Sequence, residues 1–144
     1  MFKASSTVVI NAPIQKVFEY TASPENGPMF IPNLNQNNNI SITPTQVGQK
    51  WSWRYNMVGV DITGAAEVTE MQAPHSWKIK STGGANSTWA FTFADEGAGT
   101  KVTLEIEYDM PEGVMGKLTS NATEKINQKT VGDSLQHLKT ILEG

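Results

Sequence analysis

From Gln49 to Met110 the chain alternates apolar and polar residues with a period of two for about sixty residues, and nothing else in it restricts the fold so strongly. Trp51, Trp53, Tyr55 and Met57 alternate with Lys50, Ser52, Arg54 and Asn56. Val60, Ile62, Ala66 and Val68 alternate with Asp61, Thr63, Glu67 and Thr69. The same rhythm carries Trp77 and Ile79, then Trp89, Phe91 and Phe93, then Val102, Leu104, Ile106, Tyr108 and Met110. Such a run predicts an antiparallel meander with one dry face and one wet face. Gly59, Pro74, Gly83-Gly84 and Gly97-Ala98-Gly99 fall between the runs, where hairpin turns are needed. Composition agrees: Leu is scarce at six residues, whereas Val plus Ile total 20 and Thr adds 15, and β-branched residues suit strands.

The flanks read differently. Phe2 to Ile10 predicts a strand. Pro13 then opens a helix whose Ile14, Val17, Phe18 and Thr21 share one face. Ser23-Pro24 repeats the start signal, a capping oxygen before a proline, for a second short helix to about Phe30. The asparagine-rich segment Asn33 to Asn39 reads as a solvated loop, with the polar rim of a binding site as the alternative. Ile40 and Ile42 then predict a short strand. Pro111 and Gly113 end the meander, and residues 114–142 predict one long helix of about 40 Å at 1.5 Å per residue. Val131, Leu135, Leu138 and Leu142 form its apolar stripe. Extended backward, that stripe meets Asn127, Glu124 and Ser120. A packed core disfavours such groups, because a buried polar atom without a partner costs a few kcal/mol. A cavity holding water or ligand tolerates them. Ser120, Glu124 and Asn127 are therefore candidate polar contacts.

At 144 residues the chain fits one domain, residues 1–144. Its net charge of −3 gives no basic surface for a phosphate backbone, so no nucleic-acid partner is expected. No apolar stretch approaches the ~18 residues of a membrane span, and no secretory signal is visible, so integral membrane association is not expected. Cysteine is absent, which removes disulfides, thiolate metal sites and Cys nucleophiles and fits a cytoplasmic location. His75 and His137 lack neighbours at metal-ligand spacing and read as surface residues, so neither metal nor cofactor is expected. The hydroxyls lack a His–Asp pair and there is no G-x-S-x-G, so no catalytic motif is visible. Gly97-Ala98-Gly99-Thr100-Lys101 lacks phosphate-loop spacing and reads as a hairpin turn. The sequence carries no signal for oligomeric state.

Val9-Ile10-Asn11-Ala12-Pro13 followed by Val17-Phe18-Glu19-Tyr20 resembles the opening of the START-like (SRPBCC) superfamily, in its polyketide cyclase/dehydrase and lipid-transport branch. Gly99-Thr100-Lys101-Val102-Thr103-Leu104 is similar to that branch's last strand. Pro111-Glu112-Gly113 through Gly116-Lys117-Leu118, and Ser134-Leu135 through Leu138-Lys139 to Leu142-Glu143, are similar to its C-terminal helix. The resemblance covers nearly the whole chain. It implies an α+β helix-grip fold, in which a curved antiparallel sheet wraps a long C-terminal helix with two short helices after the first strand. It also implies an apolar cavity between sheet and helix, but no shared chemistry, since fold does not dictate function.

On this reading Trp51, Trp53, Tyr55, Trp77, Trp89, Phe91 and Tyr108 are the candidate wall of a pocket for a small, mostly apolar molecule. Core packing alone is the competing account of these aromatics. Two rival functions use the same residues. A polyketide cyclase/dehydrase-type enzyme would move a proton with Tyr55, Tyr108 or Glu124. A protein-interaction module would show little cavity and a large exposed apolar patch.

Overall fold

The computed structural model describes residues 2–109 and 119–144. The meander forms as its period requires. Strands β1 (Phe2–Ile10), β2 (Leu34–Asn38), β3 (Lys50–Met57), β4 (Val60–Gln72), β5 (Ser76–Gly83), β6 (Ser87–Glu96) and β7 (Gly99–Tyr108) make one curled antiparallel sheet. Their order is β1-β7-β6-β5-β4-β3-β2, so the first strand closes against the last. Helices α1 (Ile14–Thr21) and α2 (Gly27–Phe30) follow β1, with a 3-10 turn at Pro24–Asn26 between them. Helix α3 (Ser120–Glu143) ends the chain and packs along β1. This is the helix-grip fold. The expected helix start at 114 lies outside the described residues, as do Pro111, Gly113 and Met110. The observed start is fixed by Thr119, whose side chain accepts a hydrogen bond from the Ala122 amide at 3.1 Å.

Three local expectations are corrected. Ser23 does not cap the following turn; its hydroxyl donates backward to the Glu19 carbonyl (2.8 Å) and closes the end of α1. The asparagine-rich segment is a strand, not a loop. Its backbone pairs with β3 through Leu34↔Tyr55, Gln36↔Arg54 and Asn37↔Trp53, with a bulge after Leu34. Edge pairing outweighs the poor strand propensity of asparagine. Asn33 (φ 66°) and Asn39 (φ 57°) turn the chain at either end through the left-handed region that asparagine tolerates. Ile40 to Ile42 is accordingly not a strand, and Ile42 is exposed.

Phe2 to Ile10 and the period-two parity hold: Trp51, Met57, Ile62, Val68, Trp77, Ile79 and Phe91 are buried, while Ser52, Arg54, Thr63 and Glu67 are exposed. Val131, Leu135, Leu138 and Leu142 anchor α3 at 0–6% exposure. Burying these four contributes roughly 6–12 kcal/mol as an upper figure. The helix also serves the free edge of β1. Gln128 Nε2 donates to the Ser5 carbonyl (2.6 Å) while its Oε1 accepts from the Ser5 amide (3.4 Å). Lys139 Nζ donates to the Val9 carbonyl (2.7 Å), and Glu143 accepts from the Asn11 amide (2.8 Å). An unpaired strand edge is thereby satisfied without a further strand.

Candidate functional site

The dry face of the sheet is paved by aromatic rings. Trp51 meets Trp77 with centroids 6.4 Å apart, Trp77 stacks on Phe91 at 5.7 Å, and Phe91 stacks on Phe93 at 6.3 Å. Phe18 of α1 closes the row edge-on against Phe93 at 5.3 Å. Strand alternation places these rings on one face, and antiparallel register brings Trp77, Phe91 and Leu104 into one row.

The core is not continuous above this floor. Met57 and Ile62 form a small cluster apart from the main one, with Trp53 packed against both. Between them lies a cavity of about 140 Å³. That compares with the ~150 Å³ apolar cavity that suffices for a benzene ring. Trp51, Trp53, Tyr55, Trp77, Trp89, Phe91 and Tyr108 all line it. Trp53 and Trp89 are half-buried on this inner face, so neither is free to stack on a surface sugar.

The helix side requires a correction. Asn127 lines the cavity, but Ser120 and Glu124 are exposed and do not. The inward residues are Thr123, Asn127, Thr130 and Ser134. At 100° per residue Glu124 lies about 60° to one side of Asn127, and Thr123 and Thr130 lie about 40° and 60° to the other. The apolar stripe of the C-terminal half is centred on Glu124's side. The inward face therefore turns along the helix as the curled sheet passes beneath it, and backward extension of the stripe aims at the wrong flank. Ser120 shares Asn127's direction but sits on the first turn, beyond the cavity.

Thr123 Oγ1 donates to the Thr119 carbonyl (3.0 Å), Asn127 Nδ2 to Thr123 (2.9 Å), Thr130 Oγ1 to Ile126 (3.0 Å) and Ser134 Oγ to Thr130 (2.7 Å). Each returns its proton to a helix carbonyl one turn back. The three hydroxyls are thus buried with their donors satisfied, and Asn127 has one of its two amide N–H groups satisfied, which the sequence argument did not anticipate.

Two tyrosines face this helix. Burial pushes the Tyr55 phenol above its ordinary range, and the Thr130 hydroxyl opposes the rise. Burial raises Tyr108 as well. The Asn127 amide opposes that rise without meeting the hydroxyl in hydrogen-bond geometry, and Glu124 and Tyr55 add to it through their charges. Glu124 therefore acts on the site only from outside. Other wall residues escaped the sequence reading. Pro24, Phe30 and Ile31 cover the cavity from the short helices, and Leu34 and Asn37 from β2. Asn37 Nδ2 donates to the Pro24 carbonyl (2.8 Å), tying β2 to the cover. The only available signal for Asn37 was the polar-rim alternative.

No Lys, Arg or His lines the cavity among the described residues, and Asp109 is the one charged wall residue there. His75 and His137 are exposed, and His137 Nδ1 lies 3.1 Å from the Phe30 carbonyl, joining α3 to α2. Among the described residues no group of three or more His, Asp or Glu side chains is placed to hold a metal ion. No helix of the described residues is long and apolar enough to cross a membrane.

Solved structures share this arrangement. The protein TTHA0849 from Thermus thermophilus superposes with a TM-score of 0.79 at 18% identity, over 97% of this chain and 96% of that one. A START superfamily protein from Mycobacterium smegmatis gives 0.78 at 12% identity, over 99% and 98%. The di-domain ARO/CYC BexL from the BE-7585A biosynthetic pathway gives 0.72 at 17% identity, over 99% of this chain and 50% of that one. At such identities the likeness establishes the fold alone. No curated protein matches the chain. Residues 1–143 match the family described as polyketide cyclase/dehydrase and lipid transport. With the helix-grip architecture and its cavity in place, the chain belongs to that family.

Proposed function

We propose that residues 1–144 act as one ligand-binding domain that holds a small, mostly apolar molecule in the cavity between sheet and α3. The observation that carries this reading is the cavity itself. Seven aromatic side chains from β3, β5, β6 and β7 line a space that the core leaves unfilled. Filling such a space with a core side chain would stabilise the fold by about 24 cal/mol per Å³. An unfilled cavity of this size is therefore costly for a protein that only needs to fold.

Binding is favoured over catalysis because none of the three side chains named for proton transfer is a base in the described wall, which leaves Asp109 as the one carboxylate there. Burial holds both inward tyrosines as neutral phenols, so near pH 7 either could donate a proton but neither is a base. Glu124, the third candidate for proton transfer, stands outside the wall. Among the described residues the large exposed apolar side chains are Val9 on β1, Met29 on α2, Ile42 and Val47 between β2 and β3, Val58 between β3 and β4, and Ile141 on α3, so no one element presents an apolar face, which speaks against an interaction module. The resemblance to an ARO/CYC protein keeps a cyclase as the enzyme to test against. The decisive experiment is native mass spectrometry of freshly purified protein, with Trp emission followed during titration with neutral naphthalene derivatives. A small molecule that co-purifies and leaves on denaturation, or saturable quenching by such a probe, is expected. A folded protein that shows neither would refute the reading.

A further inference from the structure

The two ends of the sheet differ in how their edges are finished. At β1 the outer backbone groups of Ser5, Val9 and Asn11 are taken up by Gln128, Lys139 and Glu143 of α3. At the other end stands β2. Among the described residues no backbone group from Asn35 to Ile40 bonds to any element but β3. Helix α2 packs on the inner face of β2, with Gly27 close to Leu34 and Asn37, and leaves the edge itself unbonded. The open edge runs on past β2, because the chain stays beside β3 as far as Ser41, whose amide donates to the Lys50 carbonyl (2.9 Å).

Proteins guard such edges with charged side chains, proline or a covering element. Charge and proline are both missing from β2, which keeps only a bulge beside Leu34. Every other strand carries at least one charged side chain. The neutral stretch is wider than the strand. No charged residue occurs from Asn26 to Gln49, 24 positions where the chain's average of 17% would place about four. This edge therefore lacks the charge that would repel a second strand.

A like edge suits it best. Gln36 and Asn38 are exposed on the outer face, and Asn38 Nδ2 donates to Gln36 Oε1 (2.6 Å). Among the described residues that bond leaves Gln36 Nε2 and Asn38 Oδ1 without partners. A two-fold axis at Asn37 sets Gln36 of one copy opposite Asn38 of the other, so free donors meet free acceptors on both sides of the axis. Carboxamides complement their own kind in this way, as in the side-chain ladders of stacked strands. A charged partner strand would find no countercharge here, whereas a second copy brings none of its charge to the contact. Because β1 is already covered, each copy has one open edge, and the association closes at two.

From this we infer that two copies of the chain pair antiparallel through β2, joining their seven-stranded sheets into one. Main-chain groups make the contact, so it needs no apolar face. It goes beyond the small-ligand reading and does not depend on it, although Leu34 and Asn37 of the cavity wall would be braced by the pairing.

The test is sedimentation velocity of the full chain from about 1 µM to about 1 mM, since a contact this small is expected to dissociate at roughly 1–100 µM. A monomer–dimer equilibrium with no larger species is expected. The double variant Gln36→Lys with Asn38→Lys places like charges across the axis and should weaken the dimer at least tenfold. Its mixture with the double variant Gln36→Glu and Asn38→Glu should restore pairing as a mixed dimer, which loss of folding could not do. Thr92→Lys, on the exposed face of β6 away from this edge, should leave the dimer unchanged. A chain that stays monomeric at about 1 mM overturns the inference, whatever other partner the edge then serves. So does a dimer that survives the lysine pair, a mixture that fails to pair, or growth beyond two copies.

Discussion

The indole of Trp53 lies directly on Gly64, its antiparallel partner in β4, where any side chain atom would collide with it. A methyl group on Gly64 would overlap Cζ2 of Trp53 and the carbonyl oxygen of Thr82. The glycine is therefore what lets the ring lie against the sheet, and the ring marks one end of the cavity. Gly64→Ala should cost about 1–3 kcal/mol, because the β5 backbone cannot yield easily. It should also displace Trp53 and shift its emission. Unchanged melting and unchanged emission together would show that the indole does not rest there.

The β3–β4 turn carries a separate strain. Val58 adopts φ 52° beside Gly59 at φ 81°, a two-residue hairpin of the kind that asparagine-glycine prefers. A β-branched residue pays for the left-handed conformation, and Val58 is 55% exposed with no burial to lose. Val58→Asn should raise stability by about 1 kcal/mol. Chemical denaturation at constant m-value is the measurement, and a lowered midpoint would contradict it.

Gly132 sits inside α3 with no atom of another element close to where a side chain would begin. Gly132→Ala should therefore stabilise the helix by about 0.5–1 kcal/mol, a rise of roughly 2 °C in melting temperature for a chain of this size. A fall would mean that the helix approaches a neighbour closely there.

Asn127 combines a cavity position with a donor spent on its own helix. Removing its amide leaves the Thr123 carbonyl with its helix bond. Asn127→Leu should therefore hold stability or raise it by a few tenths of a kcal/mol, while changing the affinity for a neutral probe. The Tyr108 phenol should titrate still higher, because the group opposing its rise is gone. A loss of about 1–3 kcal/mol would instead identify a buried partner that depends on this amide.

The pH dependence has two limbs with opposite signs. Tyr55 and Tyr108 have folded pKa values above the ordinary 10.0, so their protonated forms favour the fold. That contribution is complete below pH 10 and is lost as pH rises from there through the folded values. Glu143 is held below its ordinary 4.5 by Lys139 and by the Asn11 amide, so its contribution is complete above that pH and fades as pH falls through the folded value. Tyr55→Phe should flatten the alkaline limb and leave the acid limb alone. Glu143→Gln should do the reverse. An alkaline limb unaffected by Tyr55→Phe and Tyr108→Phe would assign it to other groups.

The sheet was legible because side chains of a strand alternate faces whatever surrounds them. The parity of Trp51, Trp53 and Tyr55, and of Trp89, Phe91 and Phe93, follows from local geometry alone, and with it came the aromatic wall of the cavity. The helix was legible where four apolar residues marked its buried face, at Val131, Leu135, Leu138 and Leu142. Along Thr123, Asn127 and Thr130 the buried face is polar and turned. Only the curl of the sheet beneath decides that Thr130 looks inward and Glu124 outward. Neither residue carries that information, since a threonine satisfied by its own helix suits water or core equally well. The same holds for Asn37: its strand exists because β3 offers a free edge, and pairing across that edge outweighs the preference of asparagine for turns. Periodicity is a property of the chain, whereas the partner that turns a polar segment into a wall exists only once the distant strands have met.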